Sequence, residues 1–339
     1  MQSRPSRTMG SLVTEKFSLE PVEDWVTWDK CVNTSPQGSL FFLSVYLENA
    51  GVPSRTWFIR KGSVIRGGLC VQEATGGEEC RLDDLVVHNG LWFLSDKERK
   101  ATRARDEHFE ITETAIRFLT DRYVKVELAL PPQFEDLRPF LWHNYHGARE
   151  DQFHLSLRYT SFLRIEDMAR LGQGEEDCET FRQLEAVRQR NLRKAAKAGT
   201  KCLPGGDIEV LLDNYGRTMG LSEEEFSGKR QRMGSLMRAL HDRGVGCLYE
   251  VTGDTGNPAY GVFFGWDQKR AYYLFGAGSP DRYQSHLGTF AFWEALRNLA
   301  SHHGITEVDW EGVNSPQRGW FKLSFGGSLL PYHELRWRT

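Results

Sequence analysis

No stretch of the 339 residues approaches the roughly 18 consecutive apolar residues that a membrane-spanning helix needs. The first ten residues are polar and carry Arg4 and Arg7 with no apolar run behind them, which does not fit a secretory signal peptide. The six cysteines (Cys31, Cys70, Cys80, Cys178, Cys202 and Cys247) include no pair at metal-ligand spacing, which argues against a metal site or a disulfide framework. These absences together predict a cytoplasmic protein with no membrane span. An excess of charge is missing as well: 43 Lys and Arg face 46 Asp and Glu, a net charge of −3. That balance excludes a protein that holds nucleic acid by its overall field and leaves only local basic patches. Proline, serine or charged runs of the kind that mark scaffolds are also lacking. What is present is 40% hydrophobic and 12% aromatic residues, ample for a packed core. At 100–200 residues per domain, the length predicts two domains or one large one.

One unit occurs twice along the chain. The first half begins with a Trp-rich helical segment at 24–31 and an apolar stretch at 40–50. Strand-like runs follow at 55–60 and 64–72 across a Lys61-Gly62 turn, then at 91–94. Helically spaced apolar residues from Phe109 to Leu119 come next, then a β-rich run at 124–130 stopped by Pro131-Pro132, a short helix at 134–144 and a strand at 153–159. The second half repeats the order. Three hairpin-linked strands at 245–251, 259–266 and 270–277 lead to an amphipathic helix through Leu287, Phe290, Trp293 and Ala300, which Gly304 ends. A strand at 305–310, a short segment at 320–325 and a last strand at 332–337 complete it. Between the copies lie a helical stretch at 177–199, a Gly- and Pro-containing linker at 203–207, and a helix announced by the capping box Ser222-x-x-Glu225. The fold class expected is mixed α+β: a tandem duplication divided at 1–160 and 161–339, each half a mostly antiparallel sheet flanked by helices.

Four segments carry candidate chemistry. Between 182 and 201, Arg182, Arg188, Arg190, Arg193, Lys194, Lys197 and Lys201 face only Glu185. Such a run is either a solvated helix face or an anion site, where arginine forks pair with phosphate oxygens and Asn191 adds a directional hydrogen bond. The loop at 276–288 feeds a helix N-terminus, a setting for an anion that Arg282 and His286 would reinforce, although a histidine so placed is more often a surface residue than a ligand or base. Lys322 stands among Trp320, Phe321 and Phe325 ahead of Gly326-Gly327. There it is either a snorkelling lysine or a partly desolvated ammonium able to act on an oxyanion. Asp309 and Glu311 follow a strand, where they serve as turn formers or as a base for an attacking amine.

In combination the motifs resemble the FemAB-like branch of the GNAT acyltransferases. They are the run Arg190 to Gly199, Tyr273-Leu274-Phe275-Gly276-Ala277, Trp293-Glu294-Ala295, Val308-Asp309-Trp310-Glu311-Gly312 and Phe321-Lys322-Leu323-Ser324-Phe325-Gly326-Gly327. The similarity spans about 161–337, with a looser echo at Arg138-Pro139-Phe140-Leu141-Trp142. It implies two tandem GNAT-like domains, with the last strand returning to the first, and transfer of an acyl group to an amine on a cell-envelope, polysaccharide or small-molecule acceptor. By that similarity Phe321 and Lys322 are the Phe-Lys pair whose lysine stabilises the tetrahedral oxyanion, and Arg190, Asn191, Arg193 and Lys194 face phosphates, with Tyr273, Arg282 and His286 also at the donor. Asp309 or Glu311 would take the amine's proton. The donor implied is acyl-CoA, with aminoacyl-tRNA as the alternative and hence tRNA as a possible partner beside a small or nucleotide-linked amine. A non-catalytic module that binds a phosphorylated ligand is the reading from another class.

Overall fold

The computed structural model describes residues 16–94, 100–170, 178–252, 257–281 and 284–338. In the first half, strand β1 (Ser18–Pro21) precedes helix α1 (Trp25–Thr34), the one-turn α2 (Ser44–Leu47), β2 (Ser54–Lys61), β3 (Val64–Gln72), the short β4 (Glu79–Cys80) and β5 (Gly90–Phe93). Then follow α3 (Ala101–Arg122), β6 (Lys125–Leu130), α4 (Arg138–Trp142) and β7 (His154–Arg164). The middle of the chain holds α5 (Glu179–Gln183), α6 (Ala186–Lys197), β8 (Lys201–Pro204), α7 (Ile208–Met219) and α8 (Glu223–Asp242). The second copy consists of β9 (Gly246–Thr252), β10 (Pro258–Trp266), β11 (Ala271–Gly278), α9 (Ser285–His303), β12 (Glu307–Asp309), α10 (Pro316–Leu323) and β13 (Ser328–Trp337).

The repeat is visible as strand, long helix, strand, short helix, strand: β5-α3-β6-α4-β7, then β11-α9-β12-α10-β13. The two copies exchange their last strands. One sheet has the order β1-β2-β3-β5; the other runs β4-β6-β13-β7-β12-β11-β10-β9-β8. In that larger sheet β13 lies between β6 and β7, and β7 in turn pairs with β12. Each copy therefore supplies the strand that completes the other's sheet, all by antiparallel pairing. Pro331 is tolerated in the middle of this sheet because β6 pairs with β13 only from His333 onward, so the missing N–H at 331 faces no partner strand.

Local rules account for the elements that frame the site. The Asp24 carboxylate caps α1 by accepting from the Thr27 N–H, and the buried Trp28 indole N–H donates to the Phe42 carbonyl at 2.6 Å. The capping box at Ser222 and Glu225 forms in full. Helix α9 buries most of its circumference beneath the sheet, and ends where Gly304 takes φ +66°. An apolar core of Trp28, Phe41, Tyr46, Leu211, Met233, Phe263 and Tyr272 draws on both copies and the intervening helices.

The structure departs from the sequence reading in several segments: α7 was not foreseen, and the helix expected at 134–144 shortens to Arg138–Trp142. The helical stretch at 177–199 is broken, because Leu184 turns extended to reach the core; its N–H still donates to the Phe181 carbonyl, and the Gln189 amide donates to the carbonyls of both Phe181 and Leu184. The linker at 203–207 begins as strand: Lys201–Pro204 is an edge strand paired with β9, a place where proline's missing N–H costs nothing.

Candidate active site

The larger sheet splays at one place. β11 and β12 are parallel and pair only through Ala271 with Val308 and Tyr272 with Asp309. Beyond Tyr272 the two strands part, and the gap between them opens into a groove of about 840 Å³. Its floor includes Tyr260, Tyr273 and Gly276 to Gly278, one wall is α10 from Gln317 to Lys322, and the other is the C-terminal end of α7 from Arg217 to Met219. Arg188, at the start of α6, closes one end.

Lys322 is held at the root of the splay. Its ammonium donates to the Glu311 carbonyl at 2.6 Å and to the Gly312 carbonyl at 3.2 Å, and lies 5.2 Å from the centre of the Tyr273 ring. Glu311 presents that carbonyl from a left-handed backbone conformation, φ +48°, a strained setting for a residue with a side chain. Burial lowers the Lys322 pKa to about 8, opposed by the nearby carboxylates of Glu311 and Asp309. The same desolvation pushes the Glu311 carboxyl well above its ordinary range, although Lys322 pulls it back. Asp309 is fully buried, and burial raises its pKa to about 6 against the bond from Thr160 and the Glu311 N–H. Its Oδ1 accepts from the Thr160 hydroxyl and, at 2.8 Å, from the Glu311 N–H. The Asp309 Oδ2 and Glu311 Oε1 atoms are buried without a hydrogen-bond partner among the described residues. A lysine whose ammonium is made more acidic by burial, beside two carboxyls made more basic by the same burial, forms a set that can move a proton at physiological pH.

Phe321 packs against Phe292 and Phe325 and carries the Arg188 guanidinium 4.5 Å above its ring. Arg188 also donates to the Ser324 hydroxyl at 2.7 Å and the Thr289 hydroxyl at 3.0 Å. These contacts fix a cation at the groove's end.

The residues singled out in the sequence are only partly brought together. Lys322, Phe321, Asp309, Glu311 and Tyr273 converge on the splay. Asn191 faces α9, donating to the Thr289 hydroxyl and the Ser285 carbonyl. Arg190, Arg193 and Lys194 lie on the exposed side of α6 and do not line the groove. His286 is buried in the first turn of α9, and Arg282 lies outside the described residues. Arg188, Arg217, Arg318 and Trp320 were not selected, yet all line the groove. Arg188 stood in the basic run without distinction, and Arg217 belongs to α7, whose signals, Asp207 as N-cap and Gly220 as C-cap, are present in the sequence.

Residues 185–317 match the family described as acetyltransferase (GNAT) domain, a span that takes in α6 through the start of α10. A comparison with curated proteins finds no match. Among solved structures, FemX superposes with a TM-score of 0.61 at 14% identity, covering 93% of this chain and 96% of its own. A conserved protein of unknown function from Bacteroides thetaiotaomicron gives 0.58 at 10% identity, covering 94% and 99%. A tandem GNAT protein from the clavulanic acid biosynthesis pathway gives 0.51 at 13% identity, covering 94% and 97%. At these identities the likeness to solved structures is one of fold. Residues 185–317 thus carry a GNAT acetyltransferase domain, and the exchanged strands and the splayed sheet belong to a fold that the chain shares over most of its length with FemX and with that tandem GNAT protein.

Proposed function

We propose that the protein transfers an acyl group from acyl-CoA to an amino group of a cell-envelope, polysaccharide or small-molecule acceptor, with the donor carbonyl placed at Lys322. The observation that carries this reading is the hydrogen bonding of Lys322. An ammonium has three N–H donors, and two of them are committed to the Glu311 and Gly312 carbonyls. The third is left to meet the oxygen on which negative charge develops as the amine attacks. The two carbonyls fix the ammonium in advance, so it needs no reorganisation during the reaction. The amine must lose a proton as it attacks. Glu311 and Asp309, with pKa values raised by burial, accept it in their ionised forms, and the leaving group takes a proton in turn. No acyl-enzyme is required, because the amine attacks the donor directly. The division at 1–160 and 161–339 belongs to the same proposal: the second unit holds the donor, and the acceptor enters from the side of the first.

The basic face of α6 favours a second donor, an aminoacyl-tRNA. Arg190, Lys194 and Lys197 are exposed on a helix whose first turns also supply Arg188 to the groove, and a polyanion leaving the groove would meet them. Binding of deacylated tRNA that weakens steeply with salt would favour this donor. Thiol release from acetyl-CoA in the presence of a panel of small amines tests the first reading. Amine-dependent release supports it, and release that no amine accelerates counts against it.

A further inference from the structure

The strand exchange carries a strand of the first copy into the site of the second. β7 pairs with all of β12, with Asp309 opposite Phe162. Past the end of β12 the chain keeps to the same strand. The Trp310 N–H donates to the Ser161 carbonyl and the Val313 N–H to the Tyr159 carbonyl, each at 2.9 Å, and the Asn314 amide bonds both the N–H and the carbonyl of Tyr159. Residues 159–161 of β7 are therefore the track on which the 310–314 segment is laid, and that segment includes the two carbonyls that hold Lys322.

Thr160 stands in the middle of this track. It lies two residues from Phe162, hence on the same face of the sheet as Asp309, and its hydroxyl donates to Asp309 Oδ1. It is fully buried, with Leu330 of β13 opposite it on the other side, so water does not compete for the bond. The Glu311 N–H donates to the same oxygen at 2.8 Å, while Oδ2 has no hydrogen-bond partner among the described residues. A carboxylate held through one oxygen is left to take a proton on the other. The charges that act on Asp309 are Arg270 and Lys322, with Glu311 beside them. The Tyr272 and Tyr332 hydroxyls on β11 and β13 are kept protonated by burial, and His88, 4.9 Å from the Tyr332 ring, is kept neutral by the same cause. Among the described residues Thr160 supplies the one side-chain hydrogen bond to Asp309.

We propose that Thr160, on the strand that the first copy lends to the second, is the positioning residue for Asp309: its hydroxyl holds Oδ1 and leaves Oδ2 as the oxygen that takes the proton of the attacking amine. This rests on the acyl-transfer reading and gives the strand exchange a part in the chemistry.

The test compares the wild-type protein with T160V, T160S, D309N and T160V/D309N. Amine-dependent thiol release from acetyl-CoA and melting curves are each recorded from pH 5 to 8. T160V removes a bond that favours the ionised carboxylate, so the acid limb set by Asp309 near pH 6 should move up by about one pH unit. kcat should then fall about fivefold at pH 6 and stay within about twofold at pH 8, with donor KM unchanged. T160S, which keeps the hydroxyl, should restore the acid limb. A carboxyl whose folded pKa rises further above its unfolded value costs stability as pH climbs through that interval. The melting-temperature gap between wild type and T160V should therefore widen from pH 5 to pH 8, and the gap between D309N and T160V/D309N should not. An acid limb in T160V that coincides with the wild type overturns the proposal, as does a rate loss equal at every pH or a melting gap that widens just as much without the Asp309 carboxylate. Absence of amine-dependent thiol release from the wild type would instead overturn the acyl-transfer reading, and the melting curves, which need no turnover, would still decide whether Thr160 governs Asp309.

Discussion

Lys322→Met keeps an unbranched side chain of similar length and removes only the ammonium, so it isolates the role assigned to the third N–H. Removing one preorganised oxyanion donor costs about 2.7–4 kcal/mol in the transition state, or 10²–10³ in kcat. The fold should be nearly indifferent, because two effects oppose each other. A lysine whose pKa falls from 10.5 to about 8 on folding costs about 3 kcal/mol at neutral pH, a cost the variant no longer carries. Against that, the Glu311 and Gly312 carbonyls lose their donor, at roughly 1–3 kcal/mol each where water cannot reach them. Donor affinity should change little. The sign with pH is fixed by the lowered value. Between about 8 and 10.5 the unfolded chain holds a proton that the folded chain has released, so this group's contribution to stability rises with pH in that window. Activity moves the other way, falling as the ammonium titrates near pH 8, and that alkaline limb should be absent from the residual rate of the variant. Amine-dependent thiol release and a melting curve, each recorded from pH 6 to 10, measure all of this. A variant that turns over within threefold of wild type at an unchanged melting temperature would refute the role given to Lys322.

Three further outcomes follow from the geometry. Asp309→Asn should raise stability by up to about 3 kcal/mol at pH 7.5, since burial lifts the Asp309 pKa from 3.8 to about 6 and the stability that goes with its neutral form is lost as pH rises through 6. It should gain nothing at pH 4, and equal gains in urea midpoint at both pH values would contradict the buried charge. Arg188→Gln removes the cation over Phe321 and the bonds to Ser324 and Thr289. Donor KM should rise at least fivefold, and Arg188→Lys, which lacks the planar fork, should not restore it. Gly304→Ala should cost about 1–2 kcal/mol, because the residue sits at φ +66° with nothing nearby to clash, and a neutral effect on the denaturation midpoint would rule out the left-handed cap.

Much of the architecture could be read from local signals. The capping box at Ser222, the Gly304 terminus of α9 and the turn-bounded apolar runs that become β2, β3 and β10 each reside in a few neighbouring residues, and the structure realises them. The repeat was legible for the same reason. The exchange of β7 and β13 was not legible in periodicity, because pairing across some 170 residues leaves no mark on local spacing; only the resemblance pointed to a returning last strand. The break at Leu184 was hidden because the residues on both sides are good helix formers, and the core's demand for Leu184 prevails over that propensity. At the site, Lys322 and the carboxylates stood out by their surroundings in sequence. That Lys322 is held by the carbonyls of Glu311 and Gly312 depends on the left-handed turn at 311, which no residue type there announces. Arg217 escaped notice with the whole of α7, and with it one wall of the groove.

The central claim is that the groove at the splay of β11 and β12 receives an acyl donor carrying a nucleotide. Its most direct test is the melting temperature of the protein titrated with acetyl-CoA and, separately, with deacylated tRNA, because a ligand that binds only the folded state stabilises it by about 2.7 kcal/mol at a hundred times its dissociation constant. The account predicts a rise of several degrees with acetyl-CoA that is reduced in Arg188→Gln; a rise with tRNA alone would exchange the donor and keep the groove. A melting temperature unmoved by either would contradict the account.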